Sequence, residues 1–227
     1  MKEKTNHIFL AGGGSAEDSR LLDERFVNII DHTKPLVYIP NAMKSRPYKS
    51  CLEWFRSVMT PLGVTNIEMW DDLQVRYPVT SIAGIYIGGG DTAKLLKELR
   101  VSSFSDYLLE VADTGVPLYG GSAGAIILGE DIRTAPEAKS FDDSDATGLK
   151  IVPGYSMVCH YNVSEETVVR QLAQRFGHSI LAIPEKAGGH LSDSVLTNYG
   201  TEPISIFQGS EVVHLEPNRS TPLLAWR

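Results

Sequence analysis

The stretch Val116-Pro117-Leu118-Tyr119-Gly120-Gly121-Ser122-Ala123-Gly124-Ala125-Ile126-Ile127-Leu128 decides how this chain folds. Val116 to Tyr119 is an apolar run of strand length, and Ala123 to Leu128 is a run of small and apolar residues that suits a helix. Between them Gly120-Gly121-Ser122-Ala123-Gly124 is a G-x-S-x-G sequence. The pattern alone is weak, because Gly, Ser and Ala are common. A strand before it and a helix after it are the context the motif requires. In such a turn only small neighbours fit two residues to either side of the serine. The hydroxyl then stands exposed at the end of the strand, and the helix N-terminus aims free amides at the same point. Ser122 is the candidate nucleophile. A glycine-rich turn that merely lets strand and helix pack closely is the plain structural alternative.

The pattern repeats upstream. Ile8 to Ala11 reads as a strand running into Gly12-Gly13-Gly14, followed by an amphipathic helix over 17–30. Pro35 to Pro40 is a second strand, Tyr48 to Leu62 a helix, and Asn66 to Trp70 a third strand. Ile82 to Ile87 is uniformly apolar, as a strand buried on both faces should be, and runs into Gly88-Gly89-Gly90. Helices over 92–99 and 104–114 lead to the Ser122 strand. Strands and helices alternating at this spacing imply an α/β fold: a three-layer α/β/α sandwich with a mostly parallel central sheet. The active site of such a sheet lies beyond the carboxyl ends of its strands. The glycine clusters sit at those ends.

After Lys150 the pattern changes to short strands, at Leu149–Val152, Tyr155–Cys159, Ser179–Ile183, Val195–Asn198, Ile204–Phe207 and Glu211–Leu215, with one helix over 165–176. These read as extra C-terminal strands completing one domain over 1–227. Arg133 to Gly148 reads as a long, mobile surface loop. A net charge of −7 argues against nucleic acid or anionic membrane as a general partner, and no apolar run has the length to span a bilayer. The start of the chain lacks a signal-peptide pattern, and two cysteines, Cys51 and Cys159, make no disulfide framework. Both point to a reducing, cytoplasmic setting.

An acyl-transfer serine needs amide donors for the developing oxyanion. The amide of Ala123 is one candidate, and Gly89 or Gly90, at the end of the neighbouring strand, is the other. Gly88 to Ala93 also matches a phosphate-binding G-x-G-x-x-A, but no acidic residue ends the next strand to hold a ribose. Of the six histidines, His160 stands at the carboxyl end of a strand and is the candidate base, with His190, in the turn Gly188-Gly189-His190, in reserve. Glu185, in Ile183-Pro184-Glu185, is the candidate third member, and Glu137 in the polar loop is its competitor. No metal-ligand motif is present.

Taken together, Ile87-Gly88-Gly89-Gly90-Asp91-Thr92, the Ser122 elbow, His160-Tyr161-Asn162 and Pro184-Glu185 resemble the peptidase E (aspartyl dipeptidase) and cyanophycinase group of serine peptidases. The resemblance covers nearly the whole chain. It implies a fold like class I glutamine amidotransferases, in which a cysteine stands where this chain has Ser122. It implies a serine–histidine–glutamate triad without metal or cofactor, and hydrolysis of short peptides with an N-terminal aspartate. An acid at the position of Glu137, typically aspartate, has also been given the third role in that group. An aspartyl substrate needs a cation, and Arg133, Lys139 and Lys186 are the candidates. A monomer or homodimer acting on a small peptide is expected. Other readings are hydrolysis of another acyl or β-aspartyl bond, or a non-catalytic binder that retains the pocket.

Overall fold

The computed structural model describes residues 5–74 and 76–223. In chain order its elements are β1 (His7–Ala11), α1 (Ala16–Val27), β2 (Leu36–Ile39), α2 (Tyr48–Met59), β3 (Ile67–Met69), β4 (Gly84–Ile87), α3 (Thr92–Val101), α4 (Phe104–Thr114), β5 (Leu118–Gly121) and α5 (Ala123–Ile127). There follow α6 (Asp143–Ala146), β6 (Tyr155–Cys159), α7 (Glu166–Phe176), β7 (Ser179–Ile183), β8 (Gly188–Ser192), β9 (Val195–Asn198), β10 (Ile204–Gln208), β11 (Glu211–Leu215) and β12 (Ser220–Pro222).

The large sheet has the order β12-β9-β8-β1-β5-β4-β2-β3. From β1 to β3 every pairing is parallel, while β8, β9 and β12 add antiparallel strands on the β1 side. Strand side chains alternate between faces. Phe9 and Ala11 turn toward α1 and α2, packing with Leu22, Phe26 and Phe55, while Ile8 and Leu10 turn toward α3, α4 and α5. Helices therefore cover both faces of a mostly parallel sheet, as its apolar strands require.

The C-terminal strands divide between two sheets. β6, β7, β10 and β11 form a second sheet, ordered β11-β10-β7-β6, with β6 and β7 parallel. Its inner face (Tyr155, Met157, Leu181, Ile183, Ile204, Ile206) joins the core under α5, and its outer face packs Ile180, Ala182 and Phe207 against Val169 and Ala173 of α7. Two expectations change here. Leu149–Val152 is not a strand: Lys150 has φ 56, and the amides of Leu149, Lys150 and Val152 donate to carbonyls at the end of α5 and just beyond it. Nor is Arg133 to Gly148 a long mobile loop. Two short 3-10 turns and α6 fold it down, burying Ala135, Ala138 and Ala146.

One aromatic ladder crosses the sheet in register. His190 lies opposite Phe9, Phe9 opposite Tyr119, Tyr119 opposite Tyr86, and Tyr86 opposite Tyr38. The His190 ring stacks on Phe9 at a centroid distance of 4.2 Å, and its Nε2 lies 3.0 Å from Nδ1 of His7. Burial, then the charges of His7 and Arg25, push the His190 pKa down to about 3. A folded pKa below the unfolded value means the unfolded chain binds the extra proton. This contribution is complete above about pH 6.5 and is lost as the pH falls toward 3, at up to ~1.4 kcal/mol per pH unit. Denaturant melts from pH 7 to pH 4 are expected to lose stability more steeply in the wild type than in His190→Phe. Parallel slopes would remove His190 as the cause.

Candidate active site

Ser122 follows β5 directly and precedes α5. Its backbone sits at φ 50, ψ −111, a region that L-residues rarely occupy and that is held only where the surroundings over-determine it. The surroundings do so here. The Ser122 amide donates to the Ala11 carbonyl at 3.0 Å, and the Ser122 carbonyl accepts from the amides of Ala125 and Ile126. The flanking glycines are required: a Cβ on Gly120 would lie 2.6 Å from the Ala125 nitrogen, and one on Gly124 would lie 2.3 Å from the Ile87 carbonyl oxygen.

His160 and Glu185 come from the second sheet. Cys159 and Ile183 are register partners at the carboxyl ends of β6 and β7, so the residues just beyond them emerge side by side. The His160 amide donates to the Gly12 carbonyl at 2.8 Å, which ties the end of β6 to the end of β1. His160 Nε2 then lies 2.8 Å from Ser122 Oγ, and His160 Nδ1 lies 2.8 Å from Glu185 Oε1. The His160 and Glu185 side chains are 50% and 54% exposed. An ion pair so open to water contributes only ~0–1 kcal/mol to stability, so the arrangement is not there to hold the fold. Next to His160, Cys159 is half-buried, and the desolvation of its thiol pushes the pKa up to about 12, which leaves it a poor nucleophile.

The Gly12-Gly13-Gly14 turn makes this meeting possible. A Cβ on Gly12 would lie 2.0 Å from the Pro184 carbonyl oxygen, and one on Gly13 would lie 2.2 Å from Cε1 of His160. The sequence advertised these glycines as strand-end residues but not as the floor under the imidazole.

Gly89 stands where expected. A Cβ there would touch the Ser122 side chain at 3.2 Å, and Gly90 lines the same cavity. Ala123 opens α5, whose first amides lack intrahelical acceptors. The competing acid, Glu137, is elsewhere. Its Oε1 accepts from the Thr92 amide at 2.6 Å, capping α3 together with Asp91, whose Oδ1 accepts from the Lys94 amide. The reserve base His190 is no turn residue but a buried member of β8.

The cavity beside Ser122 has a volume of ≈ 310 Å³, at the small end of ligand pockets and suited to one or two amino acids. None of the cations expected from sequence lines it. Arg133 is bonded to both carboxylate oxygens of Asp131 and to Asp143. Lys139 and Lys186 are exposed outside the cavity wall. Arg46 is the one arginine or lysine among the described residues that line it. The sequence reading missed it because Arg46 precedes α2 in a polar loop, and only the tertiary fold carries it to the serine. A larger groove of ≈ 1120 Å³ runs along α3 but includes neither Ser122 nor His160. Two of its lysines are engaged with its carboxylates, Lys44 with Asp91 and Lys94 with Glu98. Among the described residues no cluster of three or more His, Cys, Asp or Glu is placed to hold a metal, and no helix is long and apolar enough to cross a membrane.

A model of peptidase family S51 matches residues 8–197. The chain belongs to peptidase family S51. It is therefore a peptidase, a hydrolase. Among its relatives, Peptidase E of Haemophilus influenzae is 24% identical over 184 residues, which cover 77% of this chain and 84% of that protein. Peptidase E of a Shewanella species is 29% identical over 80% of each chain. Peptidase E of Shewanella amazonensis is 29% identical over 59% of this chain, and the match spans 56% of that protein. A crystal structure of a peptidase from an acI-B1 Actinobacterium superposes with TM-score 0.73 at 19% identity, over 97% of this chain and 98% of the other. A putative peptidase E from Listeria monocytogenes gives 0.63 at 20% identity, over 96% and 99%. At those identities the superpositions speak for the fold of this family S51 member.

The glycine floor gives a test of the geometry itself. Gly13→Ala should push the imidazole off its position and break the His160 Nδ1–Glu185 contact. The low-field proton resonance of that hydrogen bond is expected in the wild type and absent in Gly13→Ala, with the circular dichroism unchanged. An unshifted resonance in the variant would contradict the close approach.

Proposed function

We propose that this protein is a serine peptidase that removes an N-terminal aspartate from dipeptides or very short peptides, through Ser122, His160 and Glu185. The observation that carries the reading is the continuous line from Ser122 Oγ through both nitrogens of the His160 ring to Glu185, with 2.8 Å at each contact. Glu185 accepts a hydrogen bond from Nδ1–H, which leaves Nε2 as the acceptor facing the serine. His160 takes the Ser122 proton as the oxygen attacks the peptide carbonyl. The oxyanion forms within reach of the amides of Ala123 and of Gly89 or Gly90. His160 then protonates the departing amine, and water attacks the acyl-enzyme by the same route. The oriented imidazole does its work as a base, so its weak contribution to stability is no objection.

The aspartate preference rests on Arg46, which reaches the cavity by a path that Arg133 and Lys186 do not. A guanidinium can meet a β-carboxylate with two parallel hydrogen bonds. The small cavity favours a substrate of few residues.

Steady-state kinetics on aspartyl dipeptides test the triad. Ser122→Ala should abolish turnover in a folded protein, since alanine fits the same turn. Glu185→Gln should lower kcat by on the order of 10³–10⁴-fold, and Glu137→Gln should stay near wild type. The opposite order for the two glutamates would transfer the acid to the α3 cap and sink the assignment. Arg46→Gln should lower kcat/KM for Asp-Leu by roughly 10–100-fold and leave Ala-Leu little changed, the usual scale for a lost charge-assisted hydrogen bond. Equal losses on both peptides would exclude Arg46 as the reader of the carboxylate.

A further inference from the structure

Asp23 lies on α1 with 1% of its surface exposed. One of its carboxylate oxygens, Oδ2, accepts a hydrogen bond from the Ser19 hydroxyl at 2.8 Å. The other, Oδ1, is buried, with the Tyr119 hydroxyl as the polar group beside the carboxylate. No Lys, Arg or His nitrogen lies within ion-pair distance of it among the described residues. The groups that face it are the hydroxyls of Ser19 and Tyr119, the nearby ring of Tyr86, and the like charge of Glu24. A buried carboxylate without a countercharge is expensive, and a chain that only needed packing there would hold an apolar residue.

The position of Ser19 explains the cost. Ser19 and Tyr86 both line the Ser122 cavity, so Asp23 stands one hydrogen bond behind its wall. A carboxylate can only accept, so the Ser19 hydroxyl must donate to it. Its lone pairs then face the cavity as acceptors, next to a negative charge. A group with several donors, a positive charge and no acceptor fits that wall. The two other carboxylates near the serine are engaged: Glu185 with His160, and Asp18 with the amide and hydroxyl of Ser15 at 2.8 and 2.6 Å.

We propose that Ser19 and Asp23 form a subsite for the α-ammonium group of the substrate, with the Ser19 oxygen making the contact and Asp23 supplying the countercharge. The subsite rests on the reading of Ser122 as the site of attack, and it would make the enzyme an exopeptidase: a free amino terminus is the missing cation of the cavity. Burial, opposed by the Tyr119 and Ser19 hydroxyls, raises the Asp23 pKa to about 6, so the carboxyl is mostly ionised at neutral pH. Arg46 and Asp23 then divide an aspartyl terminus between them, one for the side-chain carboxylate and one for the ammonium.

Titration calorimetry at pH 7.5 on the Ser122→Ala variant separates binding from turnover. Asp-Leu is expected to bind on the order of 10–100-fold more tightly than N-acetyl-Asp-Leu, the scale of a charge-assisted hydrogen bond. Adding Asp23→Asn should remove that difference. Should the asparagine variant fail to fold, Asp23→Leu, which leaves no unpaired polar group, should remove it as well. Equal binding of the two peptides, or binding of neither, overturns the subsite, as does a preference that survives both substitutions. Wild-type turnover of Asp-Leu is read in parallel. Turnover without amine preference discards the subsite alone, and amine preference without turnover discards the peptidase mechanism alone.

Discussion

The closest backbone approach in the site is between Gly12 and Pro184, where a Cβ would be 2.0 Å from a carbonyl oxygen, and the rest of the site depends on it. Ser122, the proposed nucleophile, follows a strand of the large sheet, while His160 and Glu185, the proposed base and acid, follow strands of the small one. The two sheets meet at their strand ends. The glycine turn after β1 lets the ends of β6 and β7 close onto it, and the His160 amide fastens to the Gly12 carbonyl. The same β1 end takes the Ser122 amide on the Ala11 carbonyl. One short stretch of backbone thus fixes both halves of the proposed triad, and the strained backbones of Ser122 and His160, each at positive φ, are held from that side.

Charge is distributed in the site according to its accessibility. The His160–Glu185 pair is half exposed to water. Asp23 is buried behind Ser19, where a charge without a cation beside it is costly. Arg46 stands at the cavity with neither constraint. The aromatic ladder Phe9–Tyr119–Tyr86–Tyr38 makes the contrast possible. Its rings exclude water from the α1 and α2 side of the sheet, while the Tyr38 and Tyr86 edges reach the cavity itself.

The parallel core was legible because each of its strands is an apolar run that ends in a turn, and because a strand-to-helix elbow has few sequence alternatives. The helix over 104–114 falls where the periodicity puts it. The preference for Glu185 over Glu137 rested on its place directly after a core strand, and the register of β6 with β7 delivers that adjacency to His160. The partition of the C-terminal strands was not legible. Short strands with similar turns carry no local mark of which sheet they join, and pairings such as β1 with β8 join residues far apart in sequence. Gly188-Gly189-His190 reads as a turn, yet it is strand, because Leu22 fills the space where a Gly188 side chain would stand. Arg46 and Asp23 escaped notice for a related reason: neither belongs to a motif, and each matters only through what the fold brings beside it.

The central claim is that Ser122 is a nucleophile activated by His160. Intact-mass spectrometry after incubation with a fluorophosphonate, followed by peptide mapping, tests it without knowledge of the substrate. One adduct is expected, on the peptide that carries Ser122, formed in the wild type and lost in His160→Gln. A folded wild-type protein that takes no adduct, or takes it at another residue, would contradict the account.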